Sequence, residues 1–82
     1  MNNDDIFKLI VEHTRAILPE LSDHTFQRTD SLKDLGANSV DRSEILLMTL
    51  EAMNLKVPAV EFHGPENIGE LADMIHGKLV RV

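Results

Sequence analysis

The residues whose types and spacing promise chemistry lie in one stretch, Asp34-Leu35-Gly36-Ala37-Asn38-Ser39-Val40-Asp41-Arg42-Ser43-Glu44-Ile45. A flexible glycine closes a loop, Ser39 opens a helix, and charged residues precede the apolar ones. A serine in that place is a natural N-cap, its oxygen accepting a hydrogen bond from a free backbone N–H of the first turn. Read so, Ser39→Ala should cost about 1 kcal/mol. The same place, exposed at the positive end of a helix dipole, also favours a phosphate ester on the hydroxyl.

Other chemistries find little support. A serine-hydrolase nucleophile sits in a G-x-S-x-G elbow between strand and helix, and this chain has none. His13, His24, His63 and His76 show no H-E-x-x-H or other close pairing for a metal. They read as surface or half-buried histidines. Asp41, Glu44 and Glu51 are spaced as a solvated helix face rather than a carboxylate pair at work. There is no phosphate-binding glycine loop. Phe7, Phe26 and Phe62 are the only aromatics and read as core, not as stacking platforms for bases.

The elements that must position Ser39 are helical, since the apolar residues recur at helical spacing and no strand alternation appears. A first helix is expected from about Asp4 to Leu18, capped by Asn3. Asp4 and Asp5 suit its positive end, and Ile6, Phe7, Ile10, Thr14, Ile17 and Leu18 form its stripe. Pro19 ends it. Residues 20–38 make a long connection, of a length more often functional than idle. Leu21, Phe26, Leu32 and Leu35 should tack it to the core, with one helical turn at Asp30–Leu35 before Gly36.

The second helix is expected from Ser39 to Met53 or Asn54. Leu46, Thr49, Leu50 and Met53 gather on its core face with Ile45 at the border. Val40, Glu44, Leu47 and Glu51 fall opposite, with Asp41 and Met48 at the flank. Apolar side chains framed by acids have the make-up of a docking surface, although isolated exposed Leu and Val are also ordinary. Ala59–His63 should make a short helical turn ended by Gly64-Pro65. Asn67, with Glu70 three residues on, starts a last helix striped by Ile68, Leu71, Ala72, Ile75 and Leu79, with Gly77 a weak spot.

Eighty-two residues, 43% of them hydrophobic, suffice for a single domain over 1–82 with one small core. There is no cysteine, so disulfides and thiolate metal sites are excluded, which fits a reducing cytoplasm. No apolar run approaches the roughly 20 residues of a membrane span, and the N-terminus lacks the features of a signal peptide. A net charge of −6, from 14 acids against 8 Lys plus Arg, disfavours nucleic acid and suits a basic protein partner or simple solubility.

Asp30-Ser31-Leu32-x-x-Leu35-Gly36-x-Asn38-Ser39-Val40-Asp41 resembles the phosphopantetheine attachment region of acyl carrier proteins. The likeness runs on through Val57-Pro58 to the Ile68…Leu71…Ile75 stripe. It implies an all-α fold, a right-handed four-helix bundle of three main helices plus a short one. It implies 4′-phosphopantetheine on the oxygen of Ser39, added from coenzyme A by a phosphopantetheinyl transferase using magnesium, with acyl groups held as thioesters. It also implies a cytoplasmic, monomeric carrier with no chemistry, nucleic acid or membrane of its own.

Where the family usually has Asp-Ser-Leu, this chain has Asn38-Ser39-Val40, then Asp41-Arg42. The Gly-Ala-Asn-Ser-Val-Asp-Arg-Ser-Glu-Ile stretch resembles the free-standing donor carriers of polyketide β-branching cassettes. In these a malonyl acyltransferase loads the carrier, a decarboxylating ketosynthase-like enzyme converts malonyl to acetyl, and a hydroxymethylglutaryl-synthase-like enzyme moves the acetyl to a β-ketone. The resemblance then makes Val40, Asp41, Arg42, Glu44, Leu47, Met48 and Glu51 the partner-contact residues. A carrier for fatty acids or nonribosomal peptides, or an unmodified helical interaction module, are the alternative readings.

Overall fold

The structure, a computed structural model, describes residues 1–80, without the side chain of Val80. Three α-helices follow one another: α1 (Asn3–Ile17), α2 (Ser39–Ala52) and α3 (Ile68–Val80). Single 3-10 turns occupy Pro19–Leu21 and Ala59–Phe62. The fold is therefore all-α as expected, and the short helix expected near 59–63 takes the 3-10 form. The turn at Pro19–Leu21, where the sequence carries only a proline as signal, was not anticipated.

The first helix begins one residue earlier than expected, because its cap is Asn2 and not Asn3. The Asn2 side chain accepts from the Asp5 N–H at 2.9 Å, and the Asp5 carboxylate accepts from the Asn2 N–H at 3.1 Å. Two orphan donors are thereby satisfied at once, which a cap at Asn3 would not achieve. At the far end the Leu18 N–H still reaches Thr14 O at 2.8 Å before Pro19 turns the chain.

Ile6, Ile10, Thr14 and Leu18 form the buried line of α1, and Val11 joins them. Phe7 and Ile17 are only half-buried. The α1 helix packs against both α2 and α3, and the 59–62 turn touches α2 and α3. Ile45, Leu50, Phe62, Ile68, Ala72 and Ile75 complete the core. Ile45 is fully enclosed and so sits at the centre of the core face of α2, not at its border; Leu46 and Met53 lie at the margins. Full burial of such a side chain stabilises by about 1.5–3 kcal/mol.

Two buried threonines need partners. Thr14 donates to Ile10 O at 2.7 Å and Thr49 donates to Ile45 O at 2.9 Å, each within its own helix. His13 Nδ1 lies 2.8 Å from Thr49 Oγ1. The threonine's single proton is spent on Ile45, so the imidazole nitrogen is the donor in this contact between α1 and α2.

The long connection is fastened at both ends of its path. His24 Nε2 meets Asp30 Oδ2 at 2.9 Å and its ring stands edge-on to Phe26, over which the Arg15 guanidinium rests. The Arg28 and Asp30 carbonyls then accept from Gly69 N and Ile68 N at 2.8 and 2.9 Å. The loop backbone thus satisfies free N–H groups at the start of α3. An Asn67 side chain accepting from Glu70 N at 2.8 Å supplies the cap expected there. The Glu70 carboxylate reaches back to Glu66 N at 3.0 Å rather than to the Asn67 N–H, so the reciprocal half of the expected capping box is displaced by one residue.

Candidate functional site

Three backbone hydrogen bonds curl the chain toward Ser39: Leu35 N to Ser31 O, Gly36 N to Lys33 O and Ala37 N to Leu32 O. A turn was expected here as one helical turn at Asp30–Leu35; it forms over residues 32–36 as a hydrogen-bonded turn and not as a helix. Gly36 has φ +105°, a left-handed conformation that glycine adopts without strain. Ala37 is then pressed into the core at 2% exposure, while Ser39, two residues later, is exposed. A buried anchor beside a free hydroxyl fixes the position of that hydroxyl.

The cap of α2 is Asn38, not Ser39. The Asn38 side chain accepts from the Asp41 N–H at 2.8 Å, and Asp41 accepts from the Asn38 N–H at 3.2 Å. Ser39 is the first helical residue, and three positions on it has Arg42, which has no acceptor with which to close such a pair. The Asn-x-x-Asp spacing was the available signal for this cap, as it was for Asn2 and Asp5. The Ser39 hydroxyl is consequently left out of the capping pair at the positive end of α2, where an anion is favoured.

Ser39 opens onto a groove of about 600 Å³ between α2, the 59–62 turn and the start of α3. Leu46, Phe62, Ile68 and Leu71 give it an apolar wall, and Lys33 and Arg42 supply two cations. Arg42 is half-buried and its Nη1 donates to Ala37 O at 2.7 Å. A phosphate ester on Ser39 fits this setting: an exposed hydroxyl, a helix N-terminus and two nearby cations.

On the other side of α2, Val40 is 70% and Leu47 52% exposed, with Glu44 and Glu51 exposed beside them. Asp41 and Met48 are half-buried at the flank of this line. Arg42 lies elsewhere, about 160° around the helix from Val40, on the side of Leu46 and Thr49. Sequence reasoning missed Val60, which is 68% exposed on the groove rim. A four-residue 3-10 turn is too short for periodicity to announce which side chain points outward. Among the described residues no three His, Cys, Asp or Glu side chains gather as a metal site, and no helix is long and apolar enough to cross a membrane.

Comparison with known proteins agrees with this geometry. The family described as "Phosphopantetheine attachment site" matches residues 9–75. The chain is 44% identical over 79 residues to the polyketide biosynthesis acyl-carrier-protein AcpK of Bacillus subtilis, covering 96% of each. It is 34% identical to an acyl carrier protein of Borreliella burgdorferi, covering 92% of this chain and 94% of that one. Among solved structures it is similar to one from "Crystal Structure of the Curacin Biosynthetic Pathway HMG Synthase in Complex with Acetyl Donor-ACP". The TM-score is 0.91 and the identity 45%, covering 94% of this chain and 99% of that chain. With a phosphopantetheine-attachment match across most of its length and a polyketide carrier so similar end to end, the chain belongs to the acyl carrier proteins, and to those associated with polyketide synthesis.

Proposed function

We propose that Ser39 bears the phosphopantetheine arm and that this carrier donates acetyl groups, made from malonyl, to an HMG-synthase-like enzyme during polyketide β-branching. The observation that carries the reading is the likeness to the acetyl donor carrier captured with the curacin HMG synthase, at TM-score 0.91 over nearly the whole chain. For Ser39 itself, support comes from an exposed hydroxyl that Asn38 relieves of capping. When bound, the arm supplies a terminal thiol that holds the acyl group as a thioester. The protein's own residues present it and take no part in bond making.

The Val40–Leu47 line, with Glu44 and Glu51 alongside, is the face offered to the synthase. Asp41 and Met48 extend it at the flank, whereas Arg42, expected among the contacts, lies on the groove side of the helix. The apolar pair supplies contact area, and the acids suit basic residues around the partner's active-site opening, which governs encounter rate and partner choice. A face this small suits the transient class of interface, as a carrier that must visit several enzymes requires. Those other visitors are a phosphopantetheinyl transferase, a malonyl acyltransferase and a decarboxylating ketosynthase-like enzyme.

The test is acetyl transfer from the loaded protein to an HMG synthase of the β-branching kind, run beside a fatty-acid carrier bearing the same acetyl group. Faster transfer from this chain is expected. Equal rates would reduce the assignment to a general carrier, and no transfer would remove the donor role.

A further inference from the structure

Arg42 has an environment that the docking face does not explain. It continues the buried line of α2 past the end of the core, into the groove onto which Ser39 opens. Its Nη1 is held by Ala37 O at 2.7 Å, two residues before the serine. One hydrogen bond occupies only part of a guanidinium, which presents five N–H donors in a rigid fork and favours phosphate oxygens. The charges around it leave that role open. Lys33 lines the same groove, Glu66 is its only lining carboxylate among the described residues, and Asp41 is engaged with the Asn38 N–H.

We propose that Arg42 is a positioning residue for the arm. Clamped by Ala37 O, it pairs with the phosphodiester borne by Ser39 and directs the arm along the groove, away from the Val40–Leu47 face. This rests on Ser39 as the attachment site, and it gives Arg42 an intramolecular duty distinct from partner contact. The docking face then stays clear for a synthase while the thiol end remains free to swing.

The experiment uses arm-loaded protein, prepared with coenzyme A and a broad-specificity transferase and verified by intact mass, in native, Arg42→Gln and Arg42→Lys forms. The readout is phosphorus NMR relaxation of the phosphodiester, read beside amide hydrogen exchange at Ala37 and Asn38, which reports separately any loosening of the turn when the Ala37 contact is lost. The transverse relaxation rate should fall in Arg42→Gln by more than the scatter between repeat preparations, as the phosphodiester gains mobility. Arg42→Lys should recover much of it. In the native protein alone, salt near 1 M, where the screening length is about 3 Å, should lower the rate in the same way. That arm of the test holds even if Arg42→Gln fails to fold. Loading that succeeds while relaxation is indifferent to both substitution and salt would overturn the pairing. A native protein that takes no arm would overturn the attachment site, and the pairing with it.

Discussion

Replacing Leu47 by Ala separates a docking residue from a packing residue on one helix. Leu47 is 52% exposed, so roughly half of the 1.5–3 kcal/mol available from burying a leucine remains for a partner to claim. That is about 0.8–1.5 kcal/mol, or roughly four- to twelve-fold in kcat/KM for acetyl transfer at limiting carrier. Stability should fall by less than about 1 kcal/mol, and alanine's good helix propensity offsets part of that. For a domain of this size the melting temperature should drop by no more than about 5 °C. Leu50, three residues on and 4% exposed, is the internal control: Leu50→Ala should cost about 2–5 kcal/mol. The assay pairs thermal melts followed by circular dichroism with initial rates of transfer to the synthase across a range of loaded-carrier concentrations. A melting temperature for Leu47→Ala as low as that of Leu50→Ala, or transfer at the native rate, would refute the division of α2 into these two faces.

Because Asn38 caps α2, Ser39→Ala should change stability by less than about 0.5 kcal/mol, whereas Asn38→Ala should lose about 1 kcal/mol, a ranking that urea melts would settle. Gly69→Ala would place a methyl 2.9 Å from Arg28 Cβ and 3.0 Å from Arg28 O, where the loop backbone is fastened to α3. The melting temperature should fall despite a gain of about 1 kcal/mol in helix propensity, and a rise would contradict the close approach. The hydrogen bonds from Gln27 N and His24 hold the Asp30 carboxyl below its ordinary value of 3.8. A lowered folded-state pKa adds stability above the unfolded value, lost as pH falls through the folded one. The gap in stability between native protein and Asp30→Asn should therefore be widest above about pH 4 and shrink as pH drops further; a gap that grows on acidification would contradict the assignment.

Much of this could be read from the residues in order, because an amphipathic helix writes its buried face into its own spacing. Ile6, Ile10, Thr14 and Leu18, or Ile68, Ala72 and Ile75, are legible for that reason, and so is the outward set Val40, Glu44, Leu47 and Glu51. The caps at Asn2 and Asn38 were legible too, through an Asn-x-x-Asp spacing that the choice of Asn3 and Ser39 passed over. The groove was not. Lys33, Arg42, Val60 and Ile68 come together only when the long connection and the 59–62 turn close over α2, and no local periodicity encodes that meeting. The same holds for His13 against Thr49, and for the loop carbonyls that complete the start of α3. Ser39 stood out early because its neighbours are contiguous in sequence; that Lys33 lines the same groove shows only in space.

The most direct measurement is the intact mass of the purified chain after incubation with coenzyme A, magnesium and a broad-specificity transferase, native beside Ser39→Ala. The native chain should gain one phosphopantetheinyl group and the variant none. A native mass that stays unchanged, or a variant that gains the group all the same, would contradict Ser39 as the point of attachment.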